Sequence, residues 1–325
     1  MPQLHVHQFP AAGGSLEEAE REQRDPGRGE VRVRVEACGV CHSDVLSSFL
    51  ASSFPIVPGH EIAGVIDTVG EGVERSWLGK TVSTVPAFAA NKYGVYGEVA
   101  IVPAYAIALY PDKLSFEEGT SIWMQYLTAY GALVAQGRLS KGDFALITAA
   151  SSSVGLAAIE IARAEGATSI ATTRTSAKKA ELLTLGADYV IVTEEEDLVG
   201  RVNEITGGAG ARIVFDPVAG KGLEALAAAT AREGIIFEYG ALAAEPTPYP
   251  LFPALSKNLT IKGYTLFEVV ADPAAFAKAK RYVFEHLAAG DFRPRIDKTF
   301  PLSQIVEAHR YMEANAQIGK IVVTV

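Results

Sequence analysis

Hydrophobic and polar positions alternate through much of residues 31–110. The run VRVRVEA alternates strictly, and IAGVIDTVG, KTVSTVP and GEVAIVPA follow it, separated by Gly, Pro and short charged turns. A period of two marks half-buried strands, so this region is expected to form a compact antiparallel barrel or sandwich. From residue 116 the period lengthens. SFEEGTSIWMQYLTAYGALVAQG has helical spacing and an acidic first turn, with Ser115 placed to cap it. Short apolar runs then recur as FALITA, SIATTR, YVIV, RIVFD and GIIFEYG, with helical segments between them, and NLTIKGYTLF reads as a sixth strand. Continuous apolar runs alternating with helices predict a doubly wound parallel sheet. Two further helices, DPAAFAKAKRYVFEHLAAG and LSQIVEAHRYMEAN, precede a last strand, GKIVVTV, which is expected to rejoin the first domain. The expected division is a discontinuous β-rich domain over 1–117 and 266–325 and a parallel-sheet domain over 118–265.

Composition narrows the class. The chain has 325 residues, 49% of them apolar, with 30 Gly and 16 Pro, which suits two turn-rich globular domains. A net charge of −9 without clustered basic residues speaks against nucleic acid as a partner. No apolar run approaches the roughly 18 residues needed to span a bilayer, so no membrane partner is expected. The N-terminal MPQLHVHQFPAAGG lacks the basic and apolar segments of a signal peptide, and a cytoplasmic location is expected. The two cysteines, Cys38 and Cys41, read as reduced thiols or as a C-x-x-C redox pair. Their place after a strand rather than at a helix start disfavours the redox pair.

Two motifs in the β region carry chemistry. CGVCHSD at 38–44 and PGHE at 58–61 bring Cys41, His42, Asp44, His60 and Glu61 close along the chain. Thiolate, imidazole and carboxylate are the donors a borderline-soft ion such as zinc prefers. A third motif follows FALITA, where Ala149, Ser152 and Gly155 take the spacing of a G-x-G-x-x-G turn. Small residues there admit a pyrophosphate, and the free N–H groups of the following helix attract it. Ser151, Ser152 and Ser153 add hydroxyls, and Val154 completes the turn. Over these residues alone a plain β–turn–α would look the same; the ordered β/α units around them favour a nucleotide site. The second strand ends in TTRTSAKK, with no acid for ribose hydroxyls. Arg174, Ser176, Lys178 and Lys179 offer positive charge and a hydroxyl, which suit a 2′-phosphate and predict NADP(H) rather than NAD(H). Cations at a helix start oppose the macrodipole, so a bound anion would account for them.

In order and spacing, CGVCHSD, PGHE, the β region, the six-stranded nucleotide fold and the closing IGKIVV resemble the medium-chain dehydrogenase/reductase superfamily over nearly the whole chain. The resemblance implies an α/β protein: a GroES-like β-rich catalytic domain plus a doubly wound Rossmann dinucleotide-binding domain, with the active site in the cleft between them. In zinc alcohol dehydrogenases of this superfamily the catalytic ion is held by residues matching Cys41 and His60 and by a further cysteine. Met124 stands in that cysteine's place, and its thioether is a neutral, weak ligand for zinc. Glu61 is a close neighbour or alternative ligand in some members. The resemblance thus implies one catalytic zinc on Cys41, His60 and Glu61 with a water. The four-cysteine structural zinc lobe is absent. These departures look more like the quinone- and enoyl-reductase branch, which works without metal but generally lacks the Cys-His and Gly-His-Glu pairs kept here. Ser43 matches a hydroxyl that relays the alcohol proton, though Leu46 stands where some relatives extend the relay with histidine. His42 matches a residue facing the pyrophosphate, and Thr128 one packing on the nicotinamide. Gly240, Ala241 and Leu242, then Leu266 and Phe267, match segments around the nicotinamide ring and carboxamide.

The expected function is an NADP(H)-dependent oxidoreductase moving a hydride between the nicotinamide and a small carbonyl or alcohol, zinc-assisted, with Cys41, Ser43 and His60 at the reaction centre. The alternative is a zinc-independent reductase of quinones or activated alkenes such as enones. A third, non-enzymatic reading is a nucleotide-binding relative that has lost its chemistry. A homodimer is expected, because the last nucleotide-domain strand, an apolar edge, is better paired than exposed.

Overall fold

The computed structural model describes residues 3–325. Its strands are β1 (Gln3–Gln8), β2 (Glu17–Glu22), β3 (Glu30–Val40), β4 (Glu61–Val69), β5 (Thr81–Thr84), β6 (Val99–Pro103), β7 (Ile107–Ala108), β8 (Phe144–Ile147), β9 (Thr168–Thr173), β10 (Tyr189–Val192), β11 (Ala211–Asp216), β12 (Thr230–Glu238), β13 (Thr260–Gly263), β14 (Ile296–Pro301) and β15 (Lys320–Thr324). The chain divides into two compact units, Met1–Met124 with Pro294–Val325, and Gln125–Arg293.

In the first unit one sheet runs β14-β15-β3-β4-β5-β7, β6 also pairs with β3, and β1 and β2 form a separate hairpin. The pairings are antiparallel except for β14 with β15. The alternation in VRVRVEA does what its period demands. Val31, Val33 and Val35 are buried in a core with Ile62, Ile66, Val102 and Val323. Arg32 points the other way, to Asp67 at 2.7 Å.

The second unit holds a six-stranded, all-parallel sheet in the order β10-β9-β8-β11-β12-β13. All six strands read from the sequence are present. Leu146, Ile170, Ile191, Val214 and Ile236 form its fully buried centre, as expected for strands covered on both faces. The strand order reverses between β8 and β11, and in open sheets of this kind ligands bind beyond the carboxyl ends at such a point.

Two sequence expectations need adjustment. The long helical segment after Ser115 is broken into Phe116–Thr120, Trp123–Tyr130 and a wide turn over Gly131–Gln136. Its cap is as read: Ser115 accepts from Glu118 N at 3.2 Å, and the Glu118 carboxylate accepts from Ser115 N at 2.8 Å. The units change over at 124/125 and 293/294, whereas the sequence suggested 117/118 and 265/266. The reason is aromatic packing on the helix Pro273–Ala289 and just beyond it. Tyr282 packs on Tyr130 and Phe292 stacks on Tyr126, each with ring centroids 4.8 Å apart, which holds this stretch in the parallel-sheet unit.

Candidate active site

The first unit gathers most of the motif residues around one buried carboxylate. β3 ends at Val40, and a helix begins at His42 with Cys41 as its N-cap. Asp44, fully buried in the first turn, accepts from Cys41 N at 3.0 Å and from the Tyr96 hydroxyl at 2.8 Å. Its other oxygen lies 3.1 Å from His60 Nδ1. Burial works to raise the Asp44 carboxyl, but the hydrogen bonds from His60 and Tyr96 outweigh it and hold the group below the ordinary carboxylate value. The Tyr96 oxygen also lies 3.3 Å from His309 Nε2, so a line of contacts runs His60–Asp44–Tyr96–His309. Thr84 fixes the backbone beside His60, donating to the His60 carbonyl at 2.7 Å and accepting from Ile62 N at 2.9 Å. Cys41 is held by Ser43, whose hydroxyl donates to Sγ at 3.1 Å. Burial pushes the Cys41 thiol up to about 11, so at neutral pH it is a thiol.

Glu61 does not join this group. Its carboxylate accepts from the Lys320 ammonium, and both side chains are buried, at 1% and 3% exposure. Burial alone would lower the Lys320 ammonium, but the Glu61 charge outweighs it and holds Lys320 firmly protonated. Gly39 makes the room. It pairs with Glu61 of β4 on one side and Val322 of β15 on the other. A Cβ there would lie 2.8 Å from Lys320 Cε and 3.1 Å from Glu61 Cβ.

The expected zinc set is therefore corrected. Among the described residues no three His, Cys, Asp or Glu side chains form a group able to hold a metal ion. Asp44 on Nδ1 orients the His60 ring as carboxylates do behind metal-bound histidines. Cys41 and His60 are nonetheless two donors where a catalytic zinc takes three, because Glu61 is committed to Lys320. The physical reason is strand geometry. Adjacent side chains of an extended chain point to opposite faces, so His60 and Glu61 serve different partners. Sequence reading singled out neither Lys320, Tyr96 nor His309 for these roles. The one available signal was Lys320 itself, a lysine opening an otherwise apolar terminal strand.

In the second unit the turn after β8 fits a dinucleotide. Ala149 has φ 44°, a left-handed conformation. Ser152 caps the helix Ser153–Ala164, accepting from Gly155 N at 3.0 Å. A Cβ on Gly155 would lie 2.6 Å from Ala150 Cα, so only glycine lets this helix approach the turn so closely. Lys178 donates to Ser151 Oγ at 3.1 Å, tying the loop after β9 to the β8 turn. Arg174 and Ser176 lie in that same loop and are exposed. Gly240 follows β12, where a Cβ would lie 2.8 Å from Pro217 O, and Leu242 N donates to Pro217 O at 3.0 Å. Leu266 is buried and Phe267 exposed, both just after β13. Thr128 is buried in the helix Trp123–Tyr130. These segments all follow parallel strands except Thr128, whose helix precedes β8.

Two acids at the same sheet edge were not foreseen. Asp216 ends β11 and takes the Thr148 hydroxyl and the N–H groups of Ala219, at 2.7 Å, and Val218, at 3.2 Å. Glu238, its register partner on β12, has two buried oxygens without a hydrogen-bond donor. Burial, then the Asp216 charge, push the Glu238 carboxyl up to about 8.

Two family models match the chain, "Alcohol dehydrogenase GroES-like domain" over residues 27–112 and "Zinc-binding dehydrogenase" over residues 153–283. Among curated relatives, Quinone oxidoreductase 1 of Escherichia coli is 29% identical over 98% of this chain and 97% of that protein. The 2-haloacrylate reductase of a Burkholderia species is 28% identical over 91% of each. The synaptic vesicle membrane protein VAT-1 homolog of Danio rerio is 28% identical over 91% of this chain, which spans only 64% of that protein's length. A phenolphthiocerol/phthiocerol polyketide synthase chain of Mycobacterium tuberculosis is 29% identical over 92% of this chain, which spans 14% of that much longer protein. A solved NAD-dependent alcohol dehydrogenase is 30% identical with a TM-score of 0.91, covering 99% of both chains. An Escherichia coli quinone oxidoreductase solved with NADPH is 27% identical with a TM-score of 0.88, again over 99% of both. With its GroES-like and nucleotide-binding regions both matched and a full-length relative at this identity, the chain belongs to the medium-chain dehydrogenase/reductase superfamily.

Proposed function

We propose that this protein is an NADP(H)-dependent reductase of quinones or activated alkenes that works without zinc, in the reducing cytosol where Cys38 and Cys41 stay thiols. The observation that carries the reading is the buried Glu61–Lys320 ion pair, which removes the third ligand from the expected metal set. The relatives named for quinone and haloacrylate reduction support it.

The β8 turn and the Arg174–Lys178 loop are the proposed cofactor seat, with Ser151, Ser152, Ser153, Val154 and Gly155 at the pyrophosphate. His42 and Thr128, and residues 240–242 and 266–267, keep the cofactor roles expected of them. The NADPH complex of a structural relative supports the choice of cofactor. The cofactor's chemistry is hydride donation to the carbon β to a carbonyl, or to a quinone. Negative charge then develops on the enolate or hydroquinone oxygen, and donors aimed at that oxygen lower the barrier. Ser43 and His42 are the donors proposed. The Ser43 hydroxyl is directed at a thiol sulfur, a weak acceptor that a developing oxyanion readily displaces. A proton from solvent completes the product.

The test compares NADPH-driven turnover of a quinone, an enone and an aldehyde, before and after exhaustive chelation. Quinone or enone reduction unchanged by metal removal is expected. Turnover confined to the aldehyde and abolished by chelation would overturn the reading.

The proposed assembly is a homodimer. β13 is an edge strand, and the segment leading into it exposes Tyr249, Leu251, Phe252 and Leu255, with Phe252 81% exposed. A second copy of this chain is the occupant proposed for that apolar edge.

A further inference from the structure

The loops after β9 and β10 run side by side. Thr193 N donates to Thr173 O at 2.9 Å, and Glu194 N donates to Arg174 O at 3.1 Å. These two bonds lay the acidic run Glu194–Asp197 along the basic run Arg174–Lys179. The acids do not share one task. Glu196 is held by Val192 N at 2.9 Å and Lys179 at 3.0 Å, and these contacts keep its carboxyl below the ordinary range. Asp197 caps the helix Leu198–Thr206, accepting from Val199 N at 3.2 Å. Glu195 instead reaches across, and its Oε1 accepts from the backbone N–H of Ser176 at 3.2 Å.

Ser176 lies between Arg174 and Lys178, in the loop proposed above to hold the 2′-phosphate. A carboxylate thus occupies a donor within that seat. We propose that Glu195 is a specificity-determining residue: its carboxylate competes with the 2′-phosphate and narrows the preference for NADP(H) over NAD(H). The proposal rests on the 2′-phosphate reading. The physics is a difference between two ligands. A phosphate monoester brings a charge of roughly −1.5 to −2 at neutral pH, so it must displace Glu195 and meets its repulsion. NAD(H) has a hydroxyl there and leaves Glu195 where it is. The chain therefore accepts both cofactors more evenly than Arg174 and Lys178 alone would dictate. Glu195 is exposed, so the repulsion is partly screened and weakens further with salt.

The test is fluorescence titration of NADPH and NADH against the full chain in three forms: wild type, Glu195→Gln and Arg174→Ala. In Glu195→Gln, NADPH is expected to bind about threefold to fivefold tighter at low salt, with NADH unchanged within about twofold. Raising the salt concentration shrinks the gain. NADPH binding that is unchanged or weaker in Glu195→Gln overturns the role of Glu195, as does an equal gain for both cofactors. Arg174→Ala separates the two levels. If it lowers the NADPH-to-NADH affinity ratio while Glu195→Gln leaves that ratio alone, only the Glu195 proposal fails. If Arg174→Ala leaves the ratio alone, the 2′-phosphate seat is wrong and the Glu195 proposal falls with it.

Discussion

Lys320 governs the charge balance inside the first unit. It is 3% exposed, its partner Glu61 is 1% exposed, and the second Glu61 oxygen is buried without a donor. Removing the cation leaves an uncompensated buried carboxylate. Lys320→Met is therefore expected to cost about 3–5 kcal/mol of stability in a urea titration. Removing both charges should recover most of that loss, because two apolar side chains carry no desolvation penalty. A double variant Lys320→Met/Glu61→Leu no more stable than Lys320→Met would show that the pair is not the source of the effect.

At the scale of elements, the β8 turn and the helix after it make two predictions. Gly155→Ala puts a Cβ 2.6 Å from Ala150 Cα and pushes the helix off the turn. NADPH affinity is expected to fall by about tenfold or more, while the circular dichroism spectrum is retained, because the lost contacts are those of helix N–H groups with phosphate. Unchanged affinity would place the cofactor elsewhere. The same helix carries Glu160, which accepts from the Tyr126 hydroxyl at 2.6 Å and from Arg293 N at 3.2 Å. Burial raises its carboxyl from 4.5 to about 7 despite these bonds. The sign follows from linkage. A carboxyl raised in the folded state contributes stability that is fully present below about pH 4.5 and is lost as pH rises through about 7. Between pH 5 and 8 the wild type should lose about 2–3 kcal/mol through this group, and Glu160→Gln should lose less. Equal losses in both proteins, read by urea unfolding at the two pH values, would contradict the assignment.

For the whole molecule, the edge strand and the exposed apolar residues before it predict a homodimer at micromolar concentration, measured by light scattering. Phe252→Asp with Leu255→Asp should yield monomers, since charges on an apolar interface cannot be desolvated cheaply. A wild type that is monomeric under these conditions would refute the proposed interface.

How much of this was legible in the chain depended on the range of the interactions involved. The six parallel strands could be read because each is buried on both faces and must be apolar almost without interruption. The Ser115 cap was legible because both of its hydrogen bonds close within three residues. The nucleotide turn was legible in its small residues, since close approach of backbone to ligand leaves no other choice at Gly155. What sequence adjacency suggested wrongly was the metal set. His60 and Glu61 are neighbours in the chain but face opposite ways on an extended backbone. Glu61 is claimed by a lysine 259 residues away, a contact that no local pattern records. The crossing at 293/294 was hidden for the same reason, because the helix Pro273–Ala289 is held by rings from before β8. The carboxylate on Ser176 N likewise exists only because two parallel strands bring their following loops side by side. Periodicity and steric need are local properties and were determined by the sequence alone. Which charge meets which across the sheets was decided by strand order, which only the tertiary structure supplies.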